Sequence, residues 1–262
     1  MKAHSHPART YLSYSVAILV LLCVLLTATL SGIAGMAGGM ILMAVLVTVL
    51  PVASAMILHG AVQSIANGSR FWFLRRNMVW HVIPPYLFGA TIVVAGFVFT
   101  TIVPDPSLVL LLVGTFPWIA RLVPRLGGLD ISNPPNACAC GISVTAAQLL
   151  AGASGPLLDV FYLKSSLNRY QVVATKAFTQ ALGHLIKLIY YSSIAIVAVE
   201  PIDSLLTPSF IFGSVILAIA GTWIGTRFLD RVNETTFRIV TGRIILILGT
   251  LAILKGTWEL WA

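Results

Sequence analysis

Long apolar runs recur along this chain with only short breaks between them, and that pattern constrains the fold more than any other feature. A helix needs about 20 mostly apolar residues to cross a bilayer, because its backbone groups must satisfy one another away from water. On that criterion the chain divides into about eight expected spans: 12–34, 51–74, 80–102, 107–123, 137–163, 170–198, 208–228 and 238–260. With 58% hydrophobic and 9% charged residues, a soluble fold would have no polar shell left to build. The expectation is an all-α integral membrane protein, a single polytopic domain over residues 1–262.

The breaks carry the expected signals: Arg75-Arg76-Asn77, Pro104-Asp105-Pro106, the Gly- and Pro-containing segment from Arg121 to Asn136, Lys164 to Arg169, Pro201 to Asp203, and Asp230 to Arg238. The basic amino terminus leads into an apolar run longer than a signal-peptide core, so it reads as a retained first span. A formal net charge of +8 fits basic residues in short cytoplasmic loops, and no basic cluster interleaved with aromatics suggests nucleic acid. Cys23, Cys138 and Cys140 are too few for a disulfide framework, and Cys138-Ala-Cys140 has no nearby partner at metal-ligand spacing. No metal or cofactor is expected.

Inside these apolar runs lies a polar stripe. Lys176, Gln180, His184 and Lys187 follow one another at helical spacing and share one face of the span 170–198. A charge near a bilayer centre costs about 2.5–3.5 kcal/mol on insertion scales, so such residues face a bundle interior or a wet cavity and mark a solute path. Two Gly-rich stretches also interrupt the apolar pattern, near 32–39 (Ser31-Gly-Ile-Ala-Gly-Met-Ala-Gly-Gly39) and 151–156 (Ala151-Gly-Ala-Ser-Gly-Pro156). Each is either a broken or re-entrant segment bordering a cavity, or a site of close helix packing.

The two Gly-rich stretches are related by an offset of 117 residues, which takes Gly35 to Gly152 and Gly38 to Gly155. The same offset takes His59 to Lys176, Gln63 to Gln180, Asn67 to His184, Arg70 to Lys187 and Pro84 to Pro201. A second stripe, His59, Gln63, Asn67 and Arg70, thus matches the first in spacing. The reading is an internal duplication, repeat 1 over about 12–123 and repeat 2 over about 137–260. Transporters built from repeats hold their solute near the midplane at the repeat interface, partly on interrupted helices. Whether the halves are parallel or inverted is open at this stage.

The stripes supply Arg70, Lys176 and Lys187 as cations, His59 and His184 as titratable rings, and the amides of Gln63, Asn67 and Gln180. That excess of positive charge favours an anionic solute. Helices begun after Gly35, Gly38, Gly39 and Gly155 would aim backbone N–H groups at it. Arg70 and Lys187 close their stripes, and anchoring at the headgroup layer is their favoured role; Lys176 and Gln180 are the first candidates for binding. Asp159 is read either as a proton carrier or as the ion-pair partner of Lys176, and His59 and His184 as proton-coupling candidates or as neutral hydrogen-bonding groups. Gly152-Ala-Ser-Gly155 also has the form found in intramembrane serine proteases, with Ser154 and His184 as a nucleophile and base. A membrane assembly or sensor subunit without flux is a third reading.

Gly35-Met-Ala-Gly-Gly39, His59-Gly-Ala-Val-Gln63 with Asn67-Gly-Ser-Arg70, Gly152-Ala-Ser-Gly-Pro-Leu-Leu158, Val173-Ala-Thr-Lys-Ala177, Gln180 and His184-Leu-Ile-Lys187 resemble, in order, the TauE/SafE family of sulfite exporters, or TSUP permeases. The resemblance spans roughly residues 15–260. It implies a permease of the bacterial inner membrane with about eight spans in two repeats, moving sulfite, a sulfonate or a related sulfur anion with coupling to the proton gradient. The second Gly segment departs from the Gly-Gly-x-Gly-Gly form common in the family, which assigns the chain to a subgroup. The expected partners are a small anionic solute and the lipid bilayer, with homo-oligomerisation left open.

Overall fold

A computed structural model describes residues 7–34, 37–122, 129–197, 202–228 and 234–261, and among these residues all regular structure is helical. The helices are α1 (Pro7–Ala34), α2 (Ala37–Val49), α3 (Val52–Leu74), α4 (Ile83–Thr100) and α5 (Pro106–Leu122), followed by α6 (Pro134–Ala151), α7 (Gly155–Val160), α8 (Arg169–Val197), α9 (Pro208–Phe228) and α10 (Glu234–Trp261). Proline opens many of them: Pro84 in the first turn of α4, Pro106 of α5, Pro134 of α6, Pro156 of α7 and Pro208 of α9. Its fixed φ suits the first turn, where the missing N–H would have had no helical partner.

Four stretches are long and apolar enough to cross a membrane: 14–32, 80–100, 208–225 and 242–261. The expected span 107–123 is the 17-residue α5, itself apolar but shorter. At 23 and 29 residues, α3 and α8 are long enough, and their polar stripes lower their hydropathy. One expected span is corrected: 137–163 is not one helix. It breaks after Ala151, where Gly152 takes the left-handed conformation (φ 71°) with its N–H on Gln148 O, and restarts as the six-residue α7. A side chain at Gly152 would meet both that backbone penalty and the sulfur atoms of Met43 and Met56. The apolar run after the first Gly stretch likewise forms a separate short helix, α2.

Helix directions follow from contacts at several levels. Gly60 packs on Leu188 while Phe71 packs on Phe178, with ring centroids 4.9 Å apart, so α3 and α8 run antiparallel. Gly114 meets Gly249 and Gly256 meets Ser107, so α5 and α10 are also antiparallel. By contrast α1 and α9 run parallel, Gly221 against Ala28 and Gly225 against Gly32. Besides these pairs, α4 packs on α6, with Gly141 against the Tyr86 carbonyl and Gly89 against the Cys138 carbonyl. Missing side chains let the backbones approach at these crossings, the expected device where lipid removes the hydrophobic drive for helix association.

Candidate functional site

The two stripes meet at the α3–α8 interface, the most extensive helix contact among the described residues. Because the helices are antiparallel, His59 at the start of one stripe faces Lys187 at the end of the other. Their atoms Nδ1 and Nζ are 2.7 Å apart. Between the stripes and the two helix breaks lies a small, largely polar cavity lined by Gly39, Met40, His59, Gln63, Asn67, Ala153, Ser154, Gly155, Gln180 and His184.

Hydrogen bonding fixes how each histidine is used. Gly39 O can only accept, so the contact of His59 Nε2 with it at 2.7 Å makes Nε2 the protonated nitrogen. Nδ1 is then a lone pair and accepts from Lys187 Nζ. His59 borders the cavity with both nitrogens already committed, which places it among the supports of the site. Lys187 also donates to Gly152 O at 2.7 Å, holding the carbonyl end of α6. The expectation that Lys187 anchors at the membrane surface is corrected: its side chain is fully buried, since antiparallel packing carries it to the level of His59. Arg70 plays a related part in the other half, its guanidinium donating to Ser31 O near the end of α1 at 3.0 Å.

Lys176 sits apart from this cluster. It forms an ion pair with Asp159, joining α8 to α7, with 17% and 45% of the two side chains exposed, and lies 5.9 Å from the Tyr162 ring centroid. Of the two readings of Asp159, ion-pair partner is the one with a contact behind it. Gly38 packs under α1, where a β-carbon would strike Thr27 O, whereas Gly39 faces the Gln63 amide. Gly35 lies outside the described residues.

One participant escaped the sequence reading. Gln148 on α6, 1% exposed, places Nε2 2.6 Å from His184 Nδ1 and 3.2 Å from Gly152 O, while its Oε1 accepts from Ser154 Oγ at 2.7 Å. Thr145, three residues earlier, is the other buried polar side chain of α6, and one such pair makes no stripe that periodicity could detect. The available signal was the repeat offset, which pairs Gln148 with Ser31, another buried polar residue at a helix end. Gln148 also bears on the protease reading. Its amide stands between Ser154 and His184, and Ser154 gives its proton to the amide oxygen; a nucleophile and base would need a direct hydrogen bond.

A family model described as "Sulfite exporter TauE/SafE" matches residues 20–251, a range that includes both stripes, both helix breaks and Gln148. No curated protein and no solved structure matches the chain. The family consists of membrane transporters, and the apolar helices here suit that setting. With the match running over most of its length, the chain belongs to the TauE/SafE family of sulfite exporters.

Proposed function

We propose that the protein is a secondary transporter of a small sulfur oxyanion, sulfite or a sulfonate, bound in the cavity between α3 and α8. The observation that carries this reading is Lys187. It is completely buried, and its partners are a neutral imidazole and a carbonyl, with no carboxylate in contact among the described residues. Lys187 stands behind the cavity wall, on the lining residue His59, and a cation buried there is costly unless an anion enters the adjoining cavity. The first turn of α2 supports the same sign of ligand, because Gly39 and Met40 border the cavity where the helix still has N–H groups without helical partners.

Alternating access would come from two inverted repeats. The offset of 117 residues takes the end of α1 (Ala34) to the end of α6 (Ala151), and the start of α3 (Val52) to the start of α8 (Arg169). Exchanging the halves turns the α1–α9 contact into α6–α4 and returns α3–α8 and α5–α10 to themselves, as a two-fold axis would. Antiparallel α3 and α8 are what an in-plane axis requires. The same directions bring Arg75, Arg76, Arg121, Lys164, Arg169 and Arg227 to one end of the bundle, and Asp105 and Asp203 to the other. By the positive-inside tendency the basic end is cytoplasmic, in a bacterial inner membrane.

Proteoliposomes loaded with sulfite, thiosulfate, methanesulfonate or a carboxylate, with and without a pH gradient, test the proposal. Flux of the sulfur anions above that of the carboxylate supports it, and a dependence on the gradient supports proton coupling. Absence of flux for the whole panel overturns the transport reading.

A further inference from the structure

Both polar ends of Gln148 are committed, and the partners dictate which end is which. Gly152 O is only an acceptor, so the amide group 3.2 Å from it has to be the NH2. That same nitrogen lies 2.6 Å from His184 Nδ1, which leaves Nδ1 to accept. The opposite end, Oε1, accepts the Ser154 proton. A ring with a bare Nδ1 and one proton carries that proton on Nε2. Among the described residues no protein group bonds to His184 Nε2, and His184 lines the cavity. The groups facing His184 are the His59 ring on α3, at 5.2 Å between centroids, Gln148 on α6, and Lys187 one turn further along α8, whose ammonium lies against His59. No carboxylate is in contact with it among the described residues.

We propose that Gln148 is a positioning residue that fixes His184 as the neutral Nε2–H tautomer, so that the cavity offers its solute a donor from an uncharged ring. The solute oxygen that fits there bears no proton, as in a sulfonate or the sulfite dianion. A solute that must itself donate at that point, such as a protonated oxyacid, finds no acceptor on the ring. The solute part rests on the anion-binding reading of the cavity; the tautomer does not, because it is read with no solute present.

The test uses full-length protein in nanodiscs, labelled with 15N-histidine, with the His184 signals identified by their loss in His184→Asn. The expected spectrum has Nε2 protonated and Nδ1 bare. In Gln148→Glu the carboxylate can still accept from Ser154, and Lys187 still serves Gly152 O, while the proton of His184 moves to Nδ1. Gln148→Met, which adds no charge, gives a mixture of tautomers and serves if the glutamate variant does not fold. Methanesulfonate binding at neutral pH weakens about tenfold in Gln148→Glu, the scale of one lost hydrogen bond to a charged ligand, and recovers at acidic pH as both nitrogens become donors. A wild-type spectrum with protonated Nδ1, or one tautomer unchanged across all three proteins, overturns the proposal. The transport reading would stand in either case, and an absence of flux would leave the tautomer result intact.

Discussion

Lys187 Nζ lies 2.7 Å from His59 Nδ1, joining residues 128 positions apart on antiparallel helices. The contact ties the two stripes into one structure. Its chemistry follows from the far side of the ring, where His59 Nε2–H is committed to Gly39 O and leaves Nδ1 only able to accept. The Lys187 side-chain nitrogen is therefore held by an imidazole and a carbonyl, dipoles that orient it and bring it no negative charge.

Lys187→Met separates orientation from charge. It leaves His59 Nδ1 without a donor, a cost of about 1–3 kcal/mol, offset by no longer burying an ammonium. Gly152 O keeps the Gln148 amide. The expected outcome is a small change in melting temperature and a loss of anion affinity of at least about tenfold, one charge-assisted interaction. Competition binding and thermal unfolding on the same preparation check it. Unchanged affinity would remove Lys187 from the electrostatics of the cavity.

The Lys176–Asp159 pair should behave differently, because it bridges α8 and α7 outside the residues that line the cavity. Both side chains are partly exposed, which limits the pair to about 1 kcal/mol or less of stability. Lys176→Met and Asp159→Asn are each expected to alter transport rate several-fold while the dissociation constant stays within about twofold. The double variant should be no slower than the slower single variant. A loss of affinity in Lys176→Met would return this lysine to the binding site.

Gly141 sets the approach of α6 to α4. A β-carbon there would run into the Tyr86 carbonyl, which belongs to a buried backbone and cannot swing aside. Gly141→Ala should therefore destabilise by about 1–3 kcal/mol. At Gly96 on α4 a β-carbon meets nothing within 4 Å, so Gly96→Ala should be neutral or slightly stabilising. Melting temperatures of the two variants compare a packed crossing on α6 with an open face of α4.

Much of this arrangement was legible because the stripes repeat at helical spacing and the Gly-rich breaks interrupt apolar runs. Both signals are local, and α3, α8 and the break at Gly152 follow from them. What periodicity could not carry was which residue faces which across an interface. Order along the stripe does not say that antiparallel pairing buries Lys187 against His59 and leaves Lys176 beside Asp159. Gln148 has only Thr145 as a buried polar neighbour on its own helix face and depends on Ser154, His184 and Gly152, contacts that exist only once α6 breaks beside α8.

The proposed inverted repeats make a prediction about sidedness that needs no knowledge of the solute. Arg76 follows α3 and Ser204 precedes α9, and both are exposed. These connections are related by the exchange of halves, α3–α4 for α8–α9, and antiparallel α3 and α8 carry them to opposite ends of the bundle. In a background with Cys23, Cys138 and Cys140 replaced by alanine, Arg76→Cys and Ser204→Cys should be labelled by a membrane-impermeant maleimide from opposite sides. Ser204→Cys should react in intact cells, and Arg76→Cys only after the inner membrane is opened, on the proposed orientation that puts the arginine-rich end in the cytoplasm. Labelling of both from one side would mean parallel halves. Labelling of each from the side opposite to that expected would keep the inversion and reverse the orientation, separating the symmetry of the fold from the charge rule that orients it.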